Sequence, residues 1–516
     1  MYRTRIPLGI RIVVAALLLC AFAPAYSQSA GLVNDRGWFV QGDTVIWGWV
    51  QHNGWWREGQ RANITRRSVG DPLGDVRPNR TEDLDALTDS MLRYGYPAFE
   101  HNYGLWYDRR RDAHDAAPRT DPNVVPPFLE QPWARSDSGT AFDGLHQYDL
   151  TAFNPWYFER LREFAGLCDR KGAVLIHKFY MQHALLETPA HYVDFPWRPG
   201  NCIQDTGLPD AIPAANVFYD VSHPVRRELH RLYIRHCLDV LGDFRNVIHL
   251  TSQEFTGPTD FVLFWLDEIR AWEKETGKHV CIGLGAPKDV QDAVLARPEQ
   301  AKSIDVLDLR YWWINADGNL VAVQGGQEIP GRGLESGAWQ AEQSPPERIY
   351  AKIRAIRDQY PGAGILDAIE ATRQQSWAFL MGGGGLLVRG QIAYPDFADP
   401  SEYIQPAGVD VILPTYHWIR TELATQLPGM RPADVVASSA SPTWCLAGPA
   451  GPWLVYALEG GRFSLNIPAP TGKSAAIWFD PRTGSQQEAI PSDEAEALTF
   501  EAPSSEDWAL YVPAPR

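Results

Sequence analysis

A chain of 516 residues with a formal net charge of −16 is too long for one small core, so two or three units, or one large barrel with a smaller module, are expected. The acidic balance and the lack of any basic run exclude nucleic acid and anionic membrane surfaces as partners. Six cysteines without CxxC spacing argue against a zinc site, and no cofactor is expected.

Residues 1–27 read as a signal peptide. Arg3, Arg5 and Arg11 form a positive start, Ile12 to Phe22 an apolar core, and Ala25-Tyr26-Ser27 a cleavage site before Gln28. The apolar run is too short for a permanent anchor, and Leu19 before Cys20 argues against a lipoprotein site. The mature chain is therefore expected to be exported, to the periplasm or outside the cell. No later segment is long and apolar enough for membrane insertion. Without Cys20, the cysteines left are Cys168, Cys202, Cys237, Cys281 and Cys445, so the sequence leaves one or two disulfides open, and the odd count means at least one free thiol.

A regular alternation follows. Gly37 to Trp49 is rich in aromatic and β-branched residues and reads as a first strand, followed by a helix from Thr81 to Leu92. Tyr96 to Glu100, Ala173 to His177, Asn246 to Leu250, Val280 to Leu284, Ile304 to Leu309, Gly364 to Glu370 and Gly384 to Val388 read as strands two to eight. Helical patterns lie between them, over Trp156 to Lys171, Pro224 to Leu241, Phe261 to Thr276, Val290 to Leu295, Glu347 to Tyr360 and Gln374 to Leu380. Eight such units predict an α/β fold, a (β/α)8 TIM barrel over residues 28–428. The long segments 102–155 and 178–223 are expected on its catalytic face. From about Pro432 short strands alternate with Gly, Pro and Asp turns, which predicts a small antiparallel β-sandwich over 432–516.

Chemistry in such barrels sits at the C-terminal strand ends. The stretch Asn246 to Glu254 is an apolar run ending in polar groups and a carboxylate. Alone it leaves two readings open: a general acid or base, or a loop glutamate that starts the next helix. Glu370, at the end of strand seven, supplies a partner across the barrel, and glycosidic bonds are usually cleaved by two such carboxyl groups. Glu370 could instead cap the following helix, in which case Asp367 is the substitute.

Strands four and seven ending in glutamate resemble the retaining glycoside hydrolases of clan A. Gly42-Asp43-Thr44, Glu370-Ala371-Thr372-Arg373 and Trp377 to Gly384 are similar to segments of the apiosidase-like members. Trp478 to Gly484 and Pro503 to Tyr511 resemble the small β-domain, labelled collagen-binding, that follows those barrels. The resemblance implies Glu254 as acid/base and Glu370 as nucleophile in a retaining hydrolase. Two departures stand out: Gln253 occupies the place where clan A usually has Asn, and the spacing after Glu370 is compressed, so sugar specificity does not transfer.

The other strand ends offer substrate-binding candidates: His101, Asn102 and Trp106, His177 and Lys178, Gln253, Arg310, Tyr311 and Trp312, and Arg389. Together they predict a cationic rim and an acidic sugar as substrate. Trp377 is either a subsite or core. His101, His177 and His183 lack the spacing of a metal site. No GxGxxG, phosphate loop or serine elbow is present. The expected partner is an oligosaccharide or polysaccharide, and the oligomeric state stays open. Two alternatives remain, a non-catalytic glycan-binding protein on a degenerate barrel and a uronate lyase using His or Tyr as base.

Overall fold

The structure is a computed structural model that describes residues 31–42, 44–52, 84–93, 95–101, 105–106, 129–187, 189–330, 344–367, 372–391, 412–468, 476–492 and 497–515. Eight parallel strands close into a barrel in sequence order. They are Trp49–His52, Ala98–His101, Val174–Met181, Val247–Gln253, Cys281–Gly285, Val306–Asp308, Gly364–Asp367 and Leu386–Gln391, and the last pairs back onto the first. The helices Leu84–Arg93, Pro155–Arg170, Pro224–Leu241, Thr259–Thr276, Lys288–Leu295, Pro346–Gln359, Arg373–Met381 and Leu413–Trp418 follow the strands in turn. The chain is thus a (β/α)8 barrel.

Strand alternation assigns the two faces. Ala98, Val174, Ile176, Ile248, Leu250, Val306, Leu366 and Leu386 form one apolar cluster inside the barrel. Phe99, Leu175, Phe179, Ile282, Leu307 and Ile365 join the larger core shared with the helices. Helix starts follow local chemistry. The Asn154 side chain accepts from Trp156 N (3.1 Å) with Pro155 next in the helix, and Thr372 and Gln375 form a reciprocal capping box.

The first strand differs from the sequence expectation. Residues Gly37 to Trp49 are not one barrel strand. Leu32–Asp35, Trp38–Gln41 and Thr44–Val45 make a three-stranded antiparallel sheet, and the barrel strand begins only at Trp49. The aromatic and β-branched composition has another cause: Phe39 and Ile46 pack into the interior cluster. A β-carbon on Gly364, at the start of the seventh strand, would lie 2.1 Å from the Phe39 ring, so the sheet plugs the N-terminal end of the barrel.

Arg357 fastens this plug. It is 1% exposed and donates to the backbone carbonyls of Gly37 (3.0 Å), Ala363 (2.6 Å) and Gly383 (2.6 Å). Burial, with Arg431 nearby, pushes its pKa down to about 10, so it still carries its charge at neutral pH. Gly37 at φ 88° permits the approach, because a β-carbon there would lie 1.8 Å from the guanidinium.

The C-terminal part is a β-sandwich. A six-stranded sheet runs in the order Arg431–Pro432, Thr443–Ala447, Trp453–Ala457, Trp508–Val512, Ala476–Phe479, Gln486–Ala489. It faces a three-stranded sheet of Val436–Ser439, Arg462–Leu465 and Leu498–Glu501 across a core that includes Val455, Phe463, Trp478 and Phe500. The described cysteines, Cys168, Cys202, Cys237, Cys281 and Cys445, all carry free thiols, so the disulfides left open by the sequence are not formed.

Replacing Arg357 by Leu leaves three carbonyls, two of them buried, without this donor, and buried unsatisfied groups cost about 1–3 kcal/mol each. Arg357→Leu is expected to lose on the order of 3 kcal/mol in denaturant unfolding. A loss under about 1 kcal/mol contradicts the role of this residue.

Candidate functional site

The top inward layer of the barrel is charged. Glu100, fully buried on the second strand, contacts the Lys178 ammonium on the third strand. Arg310, just past the sixth strand, reaches across the mouth to Glu100 (3.3 Å) and is held by Asp308 (2.6 Å). Burial opposes the Arg310 charge, but Asp308, Tyr311 and Asp367 outweigh it and raise its pKa. For Lys178, burial and then Arg310 press toward the neutral form, against the pull of Asp308 and Glu254. Sequence reasoning missed Glu100 and Asp308. Their signal is period two: each follows an inward apolar residue, Ala98 or Val306, by two positions.

Glu254 directly follows the fourth strand, which extends to Gln253, beyond the expected Leu250. Its backbone takes φ 55°, a left-handed conformation rare outside glycine. The surrounding loops hold it there. Phe255 N donates to the Tyr311 hydroxyl (3.0 Å), Thr256 N donates to Gln182 Oε1 (3.0 Å), and Gln182 Nε2 donates back to Thr256 Oγ1 (2.8 Å). The Glu254 side chain is 20% exposed, and its Oε2 lies 3.2 Å from His183 Nδ1, with the His191 ring tilted against His183 at 4.6 Å. His183, set aside in the sequence as an unconvincing metal ligand, is therefore a neighbour of the candidate acid/base.

Asp367 ends the seventh strand, but Lys352 on the helix Pro346–Gln359 pairs with it at 3.0 Å. It is a buried carboxylate engaged by a lysine. Glu370 and Asn102 lie outside the described residues, as do residues 1–27. Trp106, Gln253 and Arg389 fall within strands whose side chains there are likewise outside the description.

Several expected rim residues are elsewhere. The third strand continues to Met181, so His177 and Lys178 are inside it, and His101 is the last residue of the second. His101, His177 and His249 stand in register on adjacent strands, with ring centroids 6.4 and 5.6 Å apart. They face outward: His101 meets Phe164 of the helix Pro155–Arg170, and Phe179, between His177 and His249, meets Trp265. They cannot touch a substrate in the barrel mouth. Among the described residues no group of three His, Cys, Asp or Glu is placed to hold a metal ion.

The expected cationic rim is also corrected, because Lys178 and Arg310 are paired with Glu100 and Asp308 and offer no open positive face. Trp312 is buried, donates to Gln291 Oε1 (3.1 Å) and lies under the Lys352 ammonium (4.5 Å), so it is packing and not a sugar platform. Trp377 is core, stacked on Tyr456 of the β-sandwich at 4.9 Å. The long insertions consume further aromatics: Trp133 packs on Trp197, and Trp197 on His230 at 4.6 Å.

The barrel with its β-sandwich has the fold of glycoside hydrolases. A crystal structure of a family 5 glycoside hydrolase from Bacteroides vulgatus ATCC 8482 matches with a TM-score of 0.52 at 10% identity, over 94% of this chain and 93% of that one. A second solved structure, described as a glycoside hydrolase, matches with a TM-score of 0.50 at 11% identity, over 94% and 97%. The chain itself belongs to the family described as "Domain of unknown function (DUF6298)", whose model matches residues 21–400. Residues 449–513 match "Putative collagen-binding domain of a collagenase". No curated protein matches the chain.

The buried histidines make stability pH-dependent. Burial holds His177 well below the ordinary 6.5 and pushes His230 and His249 down to about 3. Below pH 6.5 the unfolded chain takes up protons that the folded chain refuses, so stability falls with pH, by about 1.4 kcal/mol per pH unit for each histidine. The melting temperature is expected to drop between pH 7.5 and pH 5, with a shallower slope in His249→Leu. Equal melting temperatures at the two pH values would contradict this.

Proposed function

We propose that this protein is an exported glycoside hydrolase that cleaves a glycosidic bond in a polysaccharide, or in an oligosaccharide derived from one, with retention. Glu254 acts as acid/base and Glu370 as nucleophile. One observation carries the reading. Among the described carboxylates at the barrel mouth, Glu100, Asp308 and Asp367 are 0%, 1% and 4% exposed and engaged with Lys or Arg, whereas Glu254 is 20% exposed on a strained backbone. Strain maintained by surrounding hydrogen bonds is a feature of functional positions.

In the first step the Glu254 proton passes to the glycosidic oxygen while the Glu370 carboxylate attacks the anomeric carbon, giving a glycosyl-enzyme and a free leaving-group alcohol. In the second, Glu254 takes a proton from the water that displaces Glu370, and the sugar departs with its configuration retained. His183 stands beside the carboxyl group that changes protonation. Three described candidates for a lyase base are poorly placed for that role. His101 and His177 face the helices, and the Tyr311 hydroxyl accepts from Phe255 N and donates to Ser252 O (3.4 Å). Burial also raises the pKa of Tyr311, which keeps its proton on.

Incubation with a panel of neutral and acidic glycans identifies the sugar released. Glu254→Gln and Glu370→Gln are each expected to lower turnover at least about 100-fold, the scale of general acid–base contributions, while glycan binding persists. Full turnover in both variants sinks the assignment. Export is checked by the mature N-terminus, expected at Gln28 when the full chain is secreted.

A further inference from the structure

The β-sandwich meets the barrel at one helix above all. Arg373 opens the helix Arg373–Met381 and donates to both oxygens of Asp507, at 2.9 and 2.6 Å, from the barrel to the sandwich. Asp507 is fully buried and also accepts from the Tyr456 hydroxyl at 2.9 Å. One turn further on, Trp377 lies flat on the Tyr456 ring, 4.9 Å between centroids and 3° between planes. Gln374 Nε2 donates to Leu458 O at 3.4 Å. Three side chains in the first five residues of this helix are thus fixed by the other domain.

A buried carboxylate shared by a guanidinium and a phenol is costly to desolvate, and its fixed geometry is specific in a way that apolar packing is not. Interfaces between domains that merely adjoin are usually more polar and exposed. A second interdomain ion pair shows the contrast. Arg354 meets Asp434 at 2.5 and 2.6 Å, but Asp434 is 79% exposed, and Arg354 lies on the preceding helix, away from the end of the seventh strand.

We infer that Asp507 and Tyr456 of the β-sandwich are positioning residues for the reaction. They fix the helix that begins three residues after Glu370, so that the sandwich is part of the catalytic unit and not a detachable binding module. This inference rests on Glu370 being the nucleophile, as proposed above. The capping box of Thr372 with Gln375 extends the constraint to Thr372, and Gln375 Nε2 itself donates to Ser344 O at 3.0 Å.

The test uses the full chain and the glycan that the wild type cleaves. Asp507→Asn and Tyr456→Phe are compared with Arg354→Met, which removes the exposed interdomain pair. In Asp507→Asn, kcat is expected to fall at least tenfold with KM within twofold, and Tyr456→Phe, which keeps the stacking, shows a smaller fall in the same direction. Arg373→Lys is expected to retain more kcat than Arg373→Met. Hydrogen–deuterium exchange of a peptide covering 372–381 rises in Asp507→Asn and stays at the wild-type level in Arg354→Met, which also keeps wild-type kcat. The inference is overturned if Asp507→Asn remains folded with wild-type kcat, or if Arg354→Met lowers kcat equally. If Asp507→Asn does not fold, Tyr456→Phe decides on the same criteria. Full turnover in Glu370→Gln would overturn the site assignment itself, whereas lost turnover there with unchanged kcat in Asp507→Asn and Tyr456→Phe overturns the positioning role alone.

Discussion

Glu100 joins the two sides of the barrel mouth. Its strand lies opposite the sixth, and Arg310 reaches it across the cavity while Lys178 meets it from the neighbouring strand. A carboxyl group buried this deeply is costly without partners, and Arg310 and Lys178 supply them from two sides. The apolar layers beneath, from Ala98 to Leu386, set the barrel's width and so place these three groups at contact distance. The result is a rigid, internally neutralised floor. Polar chemistry above that floor then depends on residues that rise beyond it.

Glu254 is such a residue, and its geometry follows from the same construction. Arg310 is fixed by Glu100 and Asp308, which fixes Tyr311 beside it, and the Tyr311 hydroxyl receives Phe255 N. On the other side the third strand ends at Met181, and Gln182 next to it makes paired hydrogen bonds with Thr256. The turn between these supports has a left-handed residue at Glu254, which costs roughly 1–2 kcal/mol for a side chain with a β-carbon. A glycine would remove that cost but would also remove the carboxyl group. The turn thus keeps a carboxyl group at a position where glycine would be the relaxed choice.

The alternation of eight strands and helices was legible because buried parallel strands are short apolar runs and the helices between them carry clear period and capping signals. The apolar criterion failed at the strand ends. The third and fourth strands continue through Lys178 and Thr251 to Gln253, where inward positions turn polar, so His177 was placed on a rim when it lies within a strand and faces the helices. Orientation, not residue type, separates Lys178 from His177. Counting in twos from Ile176 would have assigned Lys178 to the cavity and His177 to the helix side. Glu100 was passed over because it was read as the polar end of a strand, and its ion pairs join residues more than 70 positions apart; Asp308 lay inside the expected sixth strand and pairs with Arg310 two positions on. The first strand failed for a different reason. An aromatic, β-branched run is equally suited to a plug whose Phe39 and Ile46 fill the barrel from below.

The aromatic residues go largely to the interfaces of the structure. A barrel with long insertions and a docked sandwich has three kinds of interface to fill, and flat rings fill them at little cost in side-chain entropy. Trp133 and Trp197 secure the insertions, while Trp377 on Tyr456, Trp418 on Phe479 and Tyr350 on Trp444 join the two domains as parallel stacks. Trp377, fully buried between Tyr456 and Trp418, cannot also receive a sugar. The same stacking makes barrel and sandwich share one continuous core, in which Tyr456, Phe479 and Ala509 of the sandwich belong to the cluster built on the barrel. A module that only delivered substrate would need a hinge and an exposed face. A module sharing its core with the barrel instead transmits constraint, and the helix it grips most firmly is the one that follows the seventh strand.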